Sequence, residues 1–274
     1  MPLELVSIET DTVPLDGLMY TPSHRPVRGA VQLFHGNAMN FYVGPPRFLP
    51  PRLVEAGFAC LAYNRRGHDT LSTRNSRVSE GNAYQTAEQG VADNDYAAAW
   101  LGNRGFPPPV IIGHSNGGML AVRHVADHPE TPALVLLSAH RGGTRLVEIA
   151  SRVGLLAGDR VSEITERAEE LVAAGRGHEL LLLPGWWWVT SASSFIDLLR
   201  NTPDILDLAP SITCPTLYLR GDLEPPALYP IEDFRERAKG RCDTAVIARS
   251  DHFYNGAELR VADMVTNWLE SVLL

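Results

Sequence analysis

Six short apolar runs alternate with helical patterns along this chain, and this alternation constrains the fold more than any other feature. The runs cover residues 30–35, 59–64, 110–113, 133–138, 216–220 and 244–248, and the helical patterns cover 45–56, 83–103, 116–127, 229–239 and 256–273. The runs have the length and near-continuous apolarity of strands buried on both faces. Strands that alternate with helices form a mostly parallel sheet. We therefore predict an α/β fold with a doubly wound, mostly parallel sheet.

Two stretches depart from this rhythm. Residues 3–10 and 14–22 have the pattern of an antiparallel hairpin that precedes the main sheet. Residues 142–210 separate two strands by far more chain than a βα connection needs. This interval contains helical patterns at 144–157, 160–175 and 191–200, which predict a small helical insertion. We expect a core of residues 1–141 and 211–274, with residues 142–210 inserted into it.

Length, charge and cysteine content narrow the classes of function. A chain of 274 residues fits one α/β domain with an insertion, and 45% hydrophobic residues exclude a disordered chain or a fibre. The net charge of -8, with no basic run, makes nucleic acid and anionic membranes unfavourable partners. No apolar run is long enough to span a membrane and the N-terminus lacks a basic signal region, so we expect a cytoplasmic protein. Cys60, Cys214 and Cys242 are widely spaced and are expected to be free thiols.

The strongest chemical signal is the sequence GHSNG at residues 113–117. It directly follows the apolar run that begins at Val110 and directly precedes a helical pattern, which is the context of a nucleophile elbow. The glycines let neighbouring elements approach the sharp turn, so that the Ser115 hydroxyl is held out at the carboxyl edge of the sheet. At the helix N-terminus, the backbone N–H of Asn116 can point at an oxyanion.

A serine nucleophile needs a base and an acid, in the order serine, acid, histidine for this elbow. Of the nine histidines, His252 alone lies between the final predicted strand and the final helix, where a loop can bring an imidazole over the elbow. The acid should follow the preceding strand, and two carboxylates compete there, Asp222 and Glu224. The residues alone do not decide which of these two carboxylates is the acid.

Taken together, these motifs resemble the α/β-hydrolase superfamily over nearly the whole chain. The resemblance favours Glu224 as the acid because it stands three residues after Gly221 and before Pro225, although aspartate is commoner there and Asp222 stays the alternative. It also implies that the Asn37 N–H, after a His-Gly pair, joins the Asn116 N–H as an oxyanion donor. The insertion corresponds to a cap or lid over the nucleophile. The RRGHD turn at residues 65–69 is common in the superfamily and is expected to be structural.

Two finer features bear on the substrate. Residues 40–42 (NFY), with Asn64 and residues 66–69 (RGHD), are similar to a branch that contains siderophore-releasing esterases. In the insertion, three adjacent large aromatics cannot all face one core, so we expect at least one to line a substrate pocket or the interface of the cap, with packing inside the cap as the alternative. These are Trp186, Trp187 and Trp188. Such a pocket would suit a bulky, apolar or aromatic ester.

These features favour a serine esterase that cleaves a carboxylic ester through an acyl-enzyme, with a small-molecule substrate and no metal or organic cofactor. The same residues also serve lactonases, thioesterases, amidases and carbon–carbon bond hydrolases. A non-catalytic ligand-binding member of the fold is a further alternative. A nucleotide-dependent oxidoreductase is excluded because no G-x-G-x-x-G motif follows the first parallel strand.

Overall fold

A computed structural model describes residues 1–73, 79–185 and 188–273 of the chain, without the side chain of Trp188. Its main sheet has eight strands: β1 (Leu3–Ile8), β2 (Leu15–Tyr20), β3 (Gly29–Phe34), β4 (Phe58–Tyr63), β5 (Val110–His114), β6 (Leu134–Leu137), β9 (Thr216–Gly221) and β10 (Cys242–Ile247). The strand order is β1-β2-β4-β3-β5-β6-β9-β10. The hairpin β1–β2 and the pair β2–β4 are antiparallel, and the other neighbours are parallel. The predicted hairpin and mostly parallel sheet are confirmed.

Helices cover both faces of this sheet. They are α1 (Pro45–Glu55), α2 (Ala87–Asn103), α3 (Asn116–Asp127), α8 (Ile231–Arg237) and α9 (Glu258–Leu273). Apolar side chains of α1 and α9 share one hydrophobic cluster with one face of the sheet, and those of α2, α3 and α8 share another with the opposite face. Because both faces are covered, the central strands are apolar in nearly every position.

The described stretch between β6 and β9 shares a third hydrophobic cluster with Leu228 and Tyr229, which follow β9. It contains α4 (Leu146–Arg152), α5 (Val161–Ala173), β7 (Leu180–Leu183), β8 (Trp188–Ser191), α6 (Ala192–Asn201) and α7 (Ile205–Leu208), followed by a 3-10 turn at Ala209–Ser211. Buried Ile164, Leu171 and Phe195 belong to the cluster. The antiparallel pair β7–β8 was not predicted, because the run of leucines there does not alternate with polar residues.

One expectation about the strands is wrong. The sequence predicts that the last strand is buried on both faces, but β10 lies at the edge of the sheet and only Ile247 within it is buried. Its alternating and partly polar sequence suits an edge, where one side of the strand has no neighbour. Within the described residues, no helix is both long enough and apolar enough to cross a membrane.

Candidate active site

The predicted site residues meet at the carboxyl edge of the sheet. Ser115 follows β5, Glu224 lies three residues after the end of β9, and His252 lies between β10 and α9. The carboxyl ends of parallel strands open onto the same edge, where open α/β sheets bind ligands. Strand register therefore brings together side chains that are more than a hundred residues apart in the sequence.

The turn from β5 to α3 holds Ser115 in a strained conformation. Its φ of 57° and ψ of -120° lie in a region that non-glycine residues rarely adopt. Glycine is required at positions 113 and 117 because other backbone atoms lie where a side chain would be. A Cβ atom at Gly113 would overlap the carbonyl group of Gly117, and one at Gly117 would overlap the carbonyl oxygens of Phe34 and His35. The motif is thus a sharp strand-to-helix turn, and Ser115 stands at its apex.

A continuous chain of hydrogen-bonding groups runs from the serine to a carboxylate. The distance from His252 Nε2 to Ser115 Oγ is 2.9 Å, and that from His252 Nδ1 to Glu224 Oε1 is 2.6 Å. Only 13% of the His252 side chain and 4% of the Glu224 side chain are exposed to solvent. With Nδ1–H donating to the carboxylate, Nε2 is left unprotonated toward the serine hydroxyl, which is the tautomer that a general base needs.

The second oxygen of Glu224 is held by groups that the sequence did not point to. Glu224 Oε2 accepts hydrogen bonds from Gly221 N at 2.7 Å and from Ser138 Oγ at 2.6 Å. Ser138 Oγ is in turn 2.7 Å from the hydroxyl of Tyr254. These contacts fix the direction of the carboxylate. The one sequence signal for Ser138 is its position directly after a buried strand.

Asp222, the alternative acid, lies elsewhere. It is exposed, and its Oδ1 accepts a hydrogen bond from Ser250 N at 3.0 Å. Hydrogen bonds from the backbone N–H groups of Arg249 and Ser250 lower the pKa of its carboxyl group. The structure therefore brings Glu224 to His252, whereas Asp222 ties together the two loops after β9 and β10.

The loop after β3 carries the other predicted oxyanion donor. A Cβ atom at Gly36 would lie 3.1 Å from the Cβ of Ser115, so this loop passes directly beside the serine. Asn37 and Asn116 line the same cleft. Asn116 is the first residue of α3, where backbone N–H groups have no acceptor within the helix. Both predicted donors thus lie beside Ser115.

Arg65 joins the two donor segments. Its buried guanidinium donates to His35 O at 2.5 Å through Nη2 and to the Asn116 side-chain oxygen at 3.3 Å through Nη1. Its backbone N–H also donates to His35 Nε2 at 3.1 Å. Burial lowers the pKa of Arg65 to about 10, so it stays protonated near neutral pH. These contacts give the Arg-Gly turn the structural role expected from the sequence.

The residues of the finer resemblance also meet. Asn40 Nδ2 donates to Asp69 Oδ1 at 2.9 Å, and Phe41 N donates to Asn64 Oδ1 at 2.9 Å. These bonds tie the segment after the oxyanion loop to the segment after β4. The bonds give these residues a structural role. They do not test the resemblance to siderophore-releasing esterases, which stays a prediction.

Two buried histidines flank His252. Burial, with the charge of His252 nearby, lowers the pKa of His114 and of His140 to about 3, so both are neutral near neutral pH. His114 Nε2 is 2.8 Å from the backbone oxygen of His252. Because a carbonyl oxygen only accepts, Nε2 carries the proton and anchors the His252 loop.

A cleft of about 440 Å³, including its open mouth, lies beside the elbow. One wall comes from the region between β6 and β9 and the other from the sheet side; the lining includes Asn37, Asn82, Gln85, Asn116, Met119, Leu120, Thr190, Ser194, Leu198 and Thr202. No described lining residue is aromatic, in contrast to the aromatic wall expected from the sequence. Trp186 and Trp187 lie outside the described residues, as does the Trp188 side chain, so their pocket role stays a prediction.

Two amide groups in this cleft lack partners. Neither Asn82 Nδ2 nor Gln85 Nε2 has a hydrogen-bond partner within the described part of the chain, although both atoms are buried. Asn82 is only 5% exposed. A buried amide donor without a partner is costly, because it has lost its bonds to water. Asn82 and Gln85 thus contribute polar side chains to the lining of the cleft.

The chain is similar to several known proteins. A monoacylglycerol lipase from Mycolicibacterium smegmatis is 28% identical over 218 residues, which make up 74% of this chain and 72% of that protein. Est1E from Butyrivibrio proteoclasticus with bound ferulic acid has a TM-score of 0.75 and 18% identity, covering 98% of this chain and 99% of its own. A thermostable carboxyl esterase from Bacillus coagulans, in complex with glycerol, has a TM-score of 0.73 and 15% identity over 100% of both chains.

The two solved structures are similar to this chain in fold. The assignment to a family comes from the sequence. A model of the alpha/beta hydrolase family matches residues 33–264, which include the elbow, Glu224 and His252. Since that match extends over most of its length, the chain belongs to the alpha/beta hydrolase family.

Proposed function

We propose that this protein is a serine esterase that hydrolyses carboxylic esters through an acyl-enzyme. The observation that carries the proposal is the hydrogen-bonded series of Ser115 Oγ, His252 and Glu224, with distances of 2.9 Å and 2.6 Å. The lipase and esterases among the similar proteins support ester hydrolysis in general. An intact set of nucleophile, base and acid also favours an enzyme over a non-catalytic binding protein.

The reaction follows from the positions of the three groups. His252 Nε2 takes the proton of Ser115 as Oγ attacks the ester carbonyl carbon, and the carbonyl oxygen becomes an oxyanion. The imidazolium then gives this proton to the alkoxide of the leaving alcohol, and the acyl group stays on Ser115. A water molecule, deprotonated by His252, attacks the acyl-enzyme and releases the carboxylic acid. Glu224 stabilises the imidazolium in both half-reactions without itself being protonated.

The backbone N–H groups of Asn37 and Asn116 are assigned to the oxyanion. Removing one such donor costs an enzyme of this type about a hundredfold or more in turnover. Arg65 holds both segments through buried bonds. It is a positioning residue for the donors.

The cleft indicates an ester that carries an additional oxygen atom. The lining combines the amide side chains of Asn82 and Gln85 with the apolar side chains of Met119 and Leu198, which suits an ester with a polar part and a hydrocarbon part. Two similar structures hold hydroxylated molecules, ferulic acid and glycerol. We assign residues 142–210 to a cap that supplies Thr190, Ser194 and Leu198 to this cleft.

The nucleophile is tested with Ser115→Ala. We expect turnover of p-nitrophenyl esters to fall by about 10⁴-fold or more with an unchanged circular dichroism spectrum, because the substitution removes only the hydroxyl. Intact-mass analysis should show one fluorophosphonate adduct on the parent protein and none on the variant. Ser271→Ala, at an exposed position of α9, is the control serine variant, and it should still be labelled. Full activity in Ser115→Ala would refute the assignment, and parallel assays on lactones, thioesters and amides identify the preferred bond.

The substrate preference is tested with Asn82→Ala. We expect kcat/KM for monoacylglycerols or hydroxycinnamate esters to fall about two- to tenfold, which is the contribution of one hydrogen bond, while simple alkyl esters are unaffected. The backbone N–H of Asn82 donates to Asp69 O, and this bond survives the substitution. Asn103→Ala, on the exposed end of α2, is the control variant. An equal loss for all esters would argue against a role in recognition.

A further inference from the structure

We propose that Asp95, His124 and His128 form a binding site for a divalent transition-metal ion, with Zn²⁺ as the best candidate. The three side chains lie where α2 packs against the far end of α3, with Asp95 and His128 partly exposed and His124 buried. Their ligand atoms are His124 Nδ1, His128 Nε2 and a carboxylate oxygen of Asp95, all within 4.8 Å of one another. Two imidazoles and a carboxylate form a donor set that suits zinc.

Two of the three distances between ligand atoms are close to those of an occupied site, and the third, between the two imidazole nitrogens, is within 4.8 Å. Asp95 Oδ1 lies 3.0 Å from His124 Nδ1 and 3.2 Å from His128 Nε2. In a tetrahedral site with bonds of about 2.0–2.1 Å, neighbouring ligand atoms are about 3.3 Å apart. Small side-chain rotations therefore admit the ion, and water completes the tetrahedron. The histidines are four residues apart on one helix, so they lie on the same face.

The second nitrogen of His128 supplies independent support. Its Nδ1 lies 3.2 Å from Glu130 Oε1, while Nε2 faces Asp95. A neutral imidazole has one N–H and can satisfy only one of the two carboxylates. When Nε2 binds a cation, the proton lies on Nδ1 and is donated to Glu130, so both carboxylates are satisfied. A carboxylate behind a metal-binding histidine orients its ring and fixes its tautomer.

This site is separate from the proposed chemistry. His124 is in the third turn of α3 and His128 is its C-terminal cap, so both lie about 13–20 Å along the helix from Ser115. A bound ion would join α2 to the end of the helix whose beginning holds the nucleophile. The expected consequence is a more stable enzyme, with no step of ester hydrolysis requiring the ion.

The test is calorimetric titration of untagged, EDTA-treated and dialysed enzyme with zinc chloride. We expect one equivalent of Zn²⁺ with a micromolar Kd, and a rise in Tm of about 5 °C when free zinc is a hundredfold above Kd. His128→Gln and Asp95→Asn should each weaken binding more than tenfold, and Glu130→Gln about tenfold.

Two control variants locate the ion. His24→Gln removes an exposed histidine outside the cluster and should bind like the parent. His252→Gln should also keep its equivalent of zinc, which separates this site from the active-site histidine. Absence of saturable binding would overturn the proposal. So would binding that is unchanged in both His128→Gln and Asp95→Asn. Neither result depends on ester hydrolysis, so failure here leaves the proposed function untouched.

Discussion

At the residue scale, two carboxylates of one loop show that the position of a carboxyl group decides its chemical role. Glu224 is buried and contacts His252 with one oxygen and Ser138 and a backbone N–H with the other. Asp222 is exposed and accepts backbone hydrogen bonds from the neighbouring loop. Only a carboxylate placed like that of Glu224, in contact with the imidazole ring, can stabilise an imidazolium.

Glu224→Gln should therefore lower kcat by about 10⁴-fold, because the neutral amide favours the wrong histidine tautomer and does not stabilise its cation. Asp222→Asn should change kcat by no more than a few-fold, because the asparagine oxygen can still accept from Ser250 N. Steady-state kinetics at equal folded concentration measure both. A severe loss in Asp222→Asn with near-normal Glu224→Gln would reverse the assignment.

At the scale of elements, the unit that matters is β5, the Ser115 turn and α3. The turn can form because the end of β3 passes close to the start of α3. Gly117 of α3 has no side chain and so leaves room for this contact. The sequence motif therefore encodes a contact between two elements as well as a local turn. The same contact places the chain after β3, which continues to Asn37, next to the start of α3 at Asn116.

Gly117→Ala tests that contact. The added methyl group would overlap two carbonyl oxygens of the chain after β3. We expect the free energy of unfolding to fall by about 1–3 kcal/mol, together with a large loss of turnover as the two proposed oxyanion donors move apart. Urea unfolding and ester assays measure the two effects.

Gly102→Ala is the matched control, since a Cβ atom at this exposed position in α2 meets nothing within 4 Å. It should stabilise the protein by about 0.5–1 kcal/mol and leave turnover unchanged. Equal behaviour of the two alanine variants would show that the close approach at Gly117 is unimportant.

At the scale of the whole molecule, buried histidines link folding to pH. The pKa of His114 and of His140 is lowered to about 3 in the folded protein, whereas an unfolded histidine has a pKa near 6.5. Below pH 6.5 the unfolded chain binds protons that the folded chain does not. Stability is therefore fully present above pH 6.5 and is lost as the pH falls toward 3.

Each of these two histidines should lower the free energy of unfolding by about 1.4 kcal/mol between pH 7.5 and pH 5.5. Urea titrations at the two pH values measure the loss. His140→Asn removes one titrating group and keeps an acceptor for Gly142 N, which now bonds to His140 Nδ1 at 3.1 Å. The loss in this variant should be smaller by about 1.4 kcal/mol. A loss identical to that of the parent would exclude His140 as a contributor.

The sequence by itself determined the elements and the chemistry-bearing motifs. Strand and helix periodicity, the glycine spacing around Ser115, and the position of His252 between a strand and a helix are local patterns, because they depend on near neighbours in the chain. The long interval between β6 and β9 was also visible, although the β7–β8 pair within it was missed. Its leucine run fits a strand and a buried helix equally well.

The sequence already predicted that Ser115, an acid and His252 come together, but only the tertiary structure decided which acid contacts His252 and which groups hold it. Ser138 and Glu224 are 86 residues apart, and Ser115 and His252 are 137 apart. Their contacts depend on the register of the parallel strands, and no single segment of the sequence determines that register. For the same reason, the unpartnered amides of Asn82 and Gln85 and the meeting of Asp95 with His124 and His128 could not be read from spacing. A lone polar residue in a sequence has many possible partners, and only the packed fold selects one.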